Sequence, residues 1–551
     1  MYTRNKGDDA LKNKILSGLN YWFKNDFICP NWWYPQIGVP KVLGPTMILM
    51  EKDLSAEQKA AGLKILDRAK IGMTGQNKVW LSGNVLYKGL LLDSFEMVKA
   101  AVAAIQSEIV ISQGEGIQPD FSFHQHGPQQ QFGNYGASFA EDMLKWATIL
   151  KPTDFHFPEQ KIQILRDYLI HGMKWIIWNN QMDISACGRQ LFPGAQLGKA
   201  KMIKNIFGHM ATIDPMLKNE YEKSMSNFAG DKFFWRSDMV IHRQKDFYTS
   251  VKMCSSRVGG AESCNDENIS GYHLGDGANY FYQSGNEYTD IFPFWDWKRI
   301  PGTTTFHDEA PLPVLPCSGY RINSDFVGGM DGIATMAYNR DSLVAQKSWF
   351  FFDDITVCLG AGISSTETKE VNTTINQSFL HGDVQVNDGP STQLVRNGMH
   401  NLKDIFWIIH DNWAYIFPQK TSVELSNREQ TGDWHKVVKR MPSKEIRAEI
   451  FTLSINHHKQ PKDAGYAYFV LPKANPASIR TRSNAISIIE NSRSVQAVEN
   501  TKTKFAKIVF FKAATIKTKS LGSITANQPC VVTLGAGKEM ALSYSDPSHA
   551  Q

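Results

Sequence analysis

The hydrophobic pattern of the chain changes period once. Up to about residue 228, apolar residues recur at helical spacing. Leu11, Ile15, Leu19 and Trp22 form one stripe, Leu86, Leu90, Met97, Ala101 and Ile105 a second, and Ile162, Leu165, Leu169, Met173 and Ile176 a third. Ser55 and Gln58 have the spacing of a capping box, and Pro158 stands where a helix can begin. Successive amphipathic helices joined by long loops predict helical hairpins around a common core. From about Lys232 the runs become short, aromatic and β-branched, over residues 247–253, 407–417, 466–471 and 505–511, with Gly, Asn, Asp and Pro between them. Residues 348–360 read as an apolar strand pair or one buried strand, and the basic stretch 502–519 as a solvated strand edge. The pattern predicts an α+β chain in three parts: helical over 1–228, antiparallel β over 229–475 and a second β unit over 476–551.

Composition narrows this picture only slightly. The 551 residues are too many for one ordinary core, and their 42% hydrophobic and 21% charged content is that of a globular protein. The 14 Trp and 18 Tyr suit stacking on sugar faces as well as core filling, and a net charge of +5 suits a polyanion without identifying one. No apolar run is long enough to span a bilayer, and residues 1–9 are polar with no apolar signal core. The 7 cysteines are scattered, with no CxxC spacing, which argues against a zinc site or a dense disulfide framework. Cys254 and Cys264 could pair, but free buried thiols are the expectation.

Four segments carry candidate chemistry. Residues 120–136 hold two histidines, a Gly-Pro break, several amides and Tyr135-Gly136, with little periodicity, as in a polar loop that carries function. Asn31-Trp32-Trp33-Tyr34 sets consecutive aromatics in a loop, Thr74-Gly75-Gln76-Asn77 an amide in another, and Gly188-Arg189 a guanidinium in a third. Taken singly, each also reads as a core aromatic, a turn amide or a solvated charge.

Together these segments resemble polysaccharide lyase family 8, the chondroitin AC, hyaluronate and xanthan lyases, and most closely the chondroitin AC lyases. The likeness continues through Asn286-Glu287-Tyr288, Trp295-Asp296-Trp297, Ile300-Pro301-Gly302-Thr303, residues 347–353 and Cys358-Leu359-Gly360-Ala361-Gly362. It implies an incomplete α/α toroid followed by antiparallel β-sandwich domains, and β-elimination on a uronic-acid polymer such as chondroitin or hyaluronan. Family members carry more helices before the equivalent of Asn31, so the resemblance implies an N-terminally shortened toroid.

The implied roles are specific. Asn77, with His126 beside it, would neutralise the uronate carboxylate. Tyr135 would take the C5 proton and return it to the C4 oxygen, with Arg189 favouring its phenolate. Glu287 would orient the tyrosine and arginine, and Trp32, Trp33 and Trp349 would stack on sugar rings in a cleft between the α and β parts. No metal or other cofactor is required for catalysis. The resemblance also allows a structural calcium in the β part, with Asp325 and Asp331 as its candidate oxygen ligands. Two departures concern recognition: the family's second arginine, four positions after the first, is Pro193 here, and Asp290 stands where asparagine is usual. The resemblance implies secreted or periplasmic location and no nucleic-acid partner. The competing readings are a xanthan-type lyase, a glycoside hydrolase, which would need an acidic pair, and a noncatalytic carbohydrate-binding homologue.

Overall fold

A computed structural model describes residues 8–224, 226–536 and 539–549. Most of the polar start read over residues 1–9 lies outside them. The first stripe forms the helix Asp9–Asn25, begun by Asp8 Oδ1 accepting from Leu11 N at 2.9 Å. Ser55 and Gln58 make both bonds of the capping box at the start of Ala56–Leu66, which satisfies two amides that no helical carbonyl reaches. The second stripe is two helices, Gly75–Leu91 and Phe95–Ser107. Asp93 breaks it in a left-handed conformation at φ +50°, and Ser94 caps the new helix through Met97 N. The third becomes Glu159–His171 followed by a 3-10 turn, Met173–Ile176.

Helices give way to strands between Lys218–Ser224 and Gly230–Phe234. The first β layer is a four-stranded antiparallel sheet of Gly230–Phe234, Met239–Arg243, Tyr248–Lys252 and Ala278–Tyr282. Three of its strands are buried along their whole length because both faces are covered. Ile241, Tyr248, Tyr280 and Tyr282 face the helical core, while Val240, Val251 and Phe281 face a second core shared with a twelve-stranded sheet. The period of two along a strand therefore ties the helical part to the β part through one middle layer.

Residues 348–360 belong to the hairpin Leu343–Phe352 and Ile355–Ser365 in the large sheet. Phe350 and Phe352 point to the C-terminal unit, and Trp349 and Phe351 to the middle layer. Trp349 is 1% exposed, and a Cβ added at Gly277 would sit 2.6 Å from its ring. It is a core residue and not a sugar platform, which corrects the sequence expectation. Trp349→Ala is expected to cost about 3–5 kcal/mol through the cavity left behind. Chemical denaturation reads this as a lower midpoint, and an unchanged midpoint would contradict the placement.

The C-terminal unit is a five-stranded sheet with Phe505–Phe510 at its centre. Within the 502–519 stretch, Phe505–Phe510 is therefore not a solvated edge. Ala514–Lys517, by contrast, pairs with Ser523–Ala526 alone in a two-stranded ribbon, and Lys502, Lys504, Lys512, Lys517 and Lys519 are exposed as expected. Lys507 is buried, donates to Gly332 O at 3.1 Å and to Phe351 O, and burial pulls its pKa down to about 8.

Candidate active site

A cleft of about 550 Å³ opens between the helical part and the β part. Trp32, Trp33, Trp80, His126, Tyr135 and Arg189 line it from one side, and Asn265, Glu267 and Arg440 from the other. Tyr135 sits in a buried turn of π-helix, Phe132–Gly136, that runs directly into the helix Ala137–Leu150. His126 reaches it from a tight loop in which His126 and Gly127 both take positive φ, +62° and +83°.

The centre of the cleft is a chain of hydrogen bonds. The Tyr135 hydroxyl lies 3.1 Å from His126 Nε2, and His126 Nδ1 lies 2.8 Å from Glu262 Oε2. Glu262 also accepts from Gln129 Nε2 at 2.6 Å and pairs with Arg189. Arg189 Nε donates to Glu267 at 3.0 Å, and its guanidinium lies 5.7 Å from the centre of the Tyr135 ring. Burial would raise the Glu262 carboxyl, but the His126 hydrogen bond and the Arg189 charge hold it below the ordinary range. Burial works against the charge of Arg189, yet Glu262 and Tyr135 more than offset it and keep the guanidinium protonated.

Tyr135 departs from the sequence expectation. Arg189 does favour its phenolate, but burial is the larger effect, and Glu262 and Glu267 oppose ionisation as well, so the hydroxyl is raised above its ordinary value of 10. The guanidinium is shared between two carboxylates, whose own charges partly cancel its pull on the phenol. A hydroxyl in this state donates to His126, which Glu262 orients by accepting from its Nδ1.

Asn77 lies in the first turn of Gly75–Leu91. Gly75, at φ +59°, leaves no room for a Cβ beside Gln125, and Gln125 Oε1 accepts from Gln76 N at 3.0 Å. This ties the helix start to the His126 loop. The Asn77 carboxamide is buried, its Oδ1 has no hydrogen-bond partner among the described residues, and it is not among the residues that line the cleft. Trp80 follows it by one helical turn and stands between Trp33 at 5.5 Å and Tyr135 at 5.9 Å. Its indole donates to buried Asp142 at 2.7 Å, as does Gln76 Nε2, and Lys41 pairs with the same carboxylate. Trp32 is 41% exposed at the mouth.

Two further assignments are corrected. Glu287 spends both carboxylate oxygens on the backbone N–H groups of Gln283, Ser284 and Gly285, at 2.7, 2.7 and 2.9 Å. It caps its own turn, and Glu262 and Glu267 hold the tyrosine–arginine network instead. Asp290 accepts from Gly194 N at 2.8 Å ahead of the helix Ala195–Ile213 and does not line the cleft, whereas Asn265 does. The recognition role expected at Asp290 therefore falls away. Pro193 is exposed in the adjoining loop. Trp80 could have been found from its spacing to Asn77, but Glu262, Glu267, Asn265 and Arg440 carried no local signal.

The loop that carries Glu262 and Glu267 is fastened on several sides. Asn268 Nδ2 donates to Glu262 O at 2.9 Å, Asn31 Nδ2 to Asn265 Oδ1 at 3.1 Å, and Glu267 bridges to Val438. Cys264 forms a disulfide with Cys317, 53 positions away, so the pairing considered with Cys254 is replaced, and Cys254 is a free buried thiol. A closed loop of that size contributes about 2–4 kcal/mol. Reduction, or Cys317→Ser, is expected to lower the thermal midpoint and the activity together. Full activity after proven reduction would show that the loop holds its shape without the bond.

Asp325 and Asp331 serve separate hydrogen bonds, from Ser256 Oγ and Phe233 N. Among the described residues no group of three or more His, Cys, Asp or Glu side chains is gathered to hold a metal ion. Nor is any described helix long and apolar enough to cross a membrane.

Comparison with known proteins agrees with this architecture. Models of polysaccharide lyase family 8 match the chain in three consecutive pieces: the N-terminal alpha-helical domain over residues 2–230, the super-sandwich domain over 229–483 and the C-terminal beta-sandwich domain over 487–551. The chondroitinase-AC of Pedobacter heparinus is 31% identical over 96% of this chain and 78% of its own length. The hyaluronate lyase of Thermasporomyces composti is 26% identical over 98% of this chain and 76% of its own. A solved structure of chondroitinase AC lyase with oligosaccharides superposes with a TM-score of 0.93 at 30% identity, covering 100% of this chain and 84% of that one. With helices followed by antiparallel sheets and family domains matched from end to end, the chain belongs to polysaccharide lyase family 8 and is a carbon–oxygen lyase acting on polysaccharides.

Proposed function

We propose that this protein cleaves a glycosaminoglycan, chondroitin or hyaluronan, by β-elimination, with Tyr135 as base and then acid. The observation that carries this reading is the continuous hydrogen-bonded line from the Tyr135 hydroxyl through His126 to Glu262, at the wall of a cleft of about 550 Å³. At neutral pH a phenol of ordinary pKa is ionised in only about one molecule in a thousand, and a raised one in fewer. The line supplies the missing step. Tyr135 passes its proton to His126 Nε2, and Glu262 stabilises the imidazolium through Nδ1.

The phenolate then removes the C5 proton, and the electron pair moves into the uronate carboxyl as an aci-carboxylate. Asn77, one helical turn before Trp80, is the donor for this group through its Nδ2, while its Oδ1 is an acceptor with no partner among the described residues. Collapse of the charge forms the C4–C5 double bond and breaks the C4–O bond. Tyr135 gives its proton to the departing oxygen, and His126 returns the first proton to the tyrosine. Trp32 and Trp33 hold flanking rings at the mouth, with Trp33 braced by Trp80.

Both the substrate and the residue roles are open to one experiment. The protein is incubated with chondroitins, hyaluronan and xanthan while ultraviolet absorbance of the conjugated product is followed. A rise on chondroitin or hyaluronan supports the reading. A rise on xanthan alone replaces the substrate, and new reducing ends without absorbance would mean hydrolysis. The Cys264–Cys317 disulfide supports a secreted or periplasmic location, because such bonds persist in oxidising compartments.

A further inference from the structure

The position four after Arg189 is a proline, yet a second arginine enters the cleft next to that loop from another part of the chain. Arg440 comes from the β part, on the turn after the 3-10 segment Trp434–Lys436. Its guanidinium lies 4.5 Å from the ring centre of Phe192, the residue before Pro193. Its Nη1 donates to Glu267 Oε1 at 2.6 Å, and the other oxygen of Glu267 accepts from Arg189. Glu267 thus sets the two guanidinium groups side by side, Arg189 buried and Arg440 at the rim.

Arg440 differs from the other cations of the cleft in what it has left to offer. Arg189 is 7% exposed and shared by two carboxylates, and Lys41 is paired with Asp142. The Arg440 side chain is 55% exposed, and among the described residues its remaining nitrogens make no hydrogen bond. Phe192 and Glu267 fix the plane of the guanidinium, so a fork of donors is held ready for an anion with little ordering left to do.

We propose that Arg440 is the specificity-determining cation of this cleft, taking an anionic substituent of the polymer in the place that Pro193 cannot serve. The ligand chemistry is a sulfate ester or the carboxylate of a flanking uronate. The proposal rests on the lyase reading for its substrate but not for its test.

Arg440→Gln, Arg440→Lys and the double variant Arg440→Gln/Pro193→Arg are compared with wild type on chondroitin 4-sulfate, chondroitin 6-sulfate, unsulfated chondroitin and hyaluronan. Loss of a charge-assisted hydrogen bond at a half-exposed site is expected to raise KM roughly tenfold, with a much smaller change in kcat. The rise is confined to a sulfated polymer if sulfate is the ligand and is common to all four if it is the carboxylate. Arg440→Lys keeps part of the affinity, and the arginine added at 193 restores part of it in the double variant. An unchanged KM on every polymer overturns the proposal. So does a fall in kcat on every polymer with a displaced pH–rate profile and unchanged KM, since Arg440 would then only brace Glu267. If wild type forms no unsaturated product, the lyase reading fails. Calorimetric titration with chondroitin sulfate and hyaluronan tetrasaccharides then decides on Arg440 separately: weaker binding by Arg440→Gln upholds it, and equal binding sinks it.

Discussion

Tyr135→Phe is expected to reduce kcat by about 10³-fold or more while leaving the fold and substrate binding nearly intact. A positioned acid–base group is typically worth about 10²- to 10⁴-fold, and Tyr135 is proposed to act twice in one turnover. The substitution removes only the hydroxyl. The ring keeps its place against Trp80 at 5.9 Å and under Arg189. The thermal midpoint should therefore move little, and an oligosaccharide should bind the variant with close to wild-type affinity. Stopped-assay absorbance of the unsaturated product measures the loss. A variant that retains a tenth or more of wild-type kcat, as a rough threshold for a base of this kind, would place the base elsewhere in the cleft.

Glu262→Gln should show the second largest effect, a fall of roughly 10²-fold in kcat with KM less affected. Glu262 is the acceptor for His126 Nδ1, so its loss removes the charge that stabilises the imidazolium and frees the ring from its orientation. It also unbalances Arg189, which keeps only Glu267 as a carboxylate partner. The variant should lose about 1–3 kcal/mol as well, because a buried charge-assisted hydrogen bond is replaced by a weaker neutral one. The pH dependence of that loss has a definite sign. Glu262 titrates below its ordinary value of 4.5 in the folded protein. Its contribution to stability is therefore present above about pH 4.5 and disappears as pH falls through the lower folded value. Denaturation of wild type and variant should give midpoints that differ at neutral pH and converge in acid. The matching control is Glu287→Gln, which touches only the backbone of its own turn and should change stability without a selective loss of kcat. A larger kcat loss in Glu287→Gln than in Glu262→Gln would reverse the two assignments.

The contrast between these two glutamates shows where sequence reasoning stopped. Glu262 and Glu287 both sit in Gly- and Ser-containing segments with another acid three or four positions on, and that local pattern does not separate them. Glu262 reaches His126 because Gly259 N bonds to Pro128 O at 3.0 Å, which lays the β-part loop along the His126 loop. Trp349 failed for a related reason. An apolar strand reads the same whether one face or both are covered, and here both are. The basic 502–519 run was misplaced only over Phe505–Phe510, because strand order within a sheet has no local signature and that strand lies at the centre.

What the sequence determined by itself is what depends on neighbours along the chain. The change from a period of 3.6 to a period of 2, the Ser55–Gln58 capping box and the grouping of His126 with Tyr135 in one short segment all follow from bonds and steric limits between near neighbours along the chain. Tertiary structure alone decided which carboxylates and cations complete the cleft. Glu262, Glu267, Asn265 and Arg440 are carried to it by loops whose positions depend on how the helical core, the four-stranded middle layer and the large sheet stack on one another. That stacking is set by non-directional burial of apolar area summed over whole layers, and no short segment contains the information needed to predict which polar groups it brings face to face.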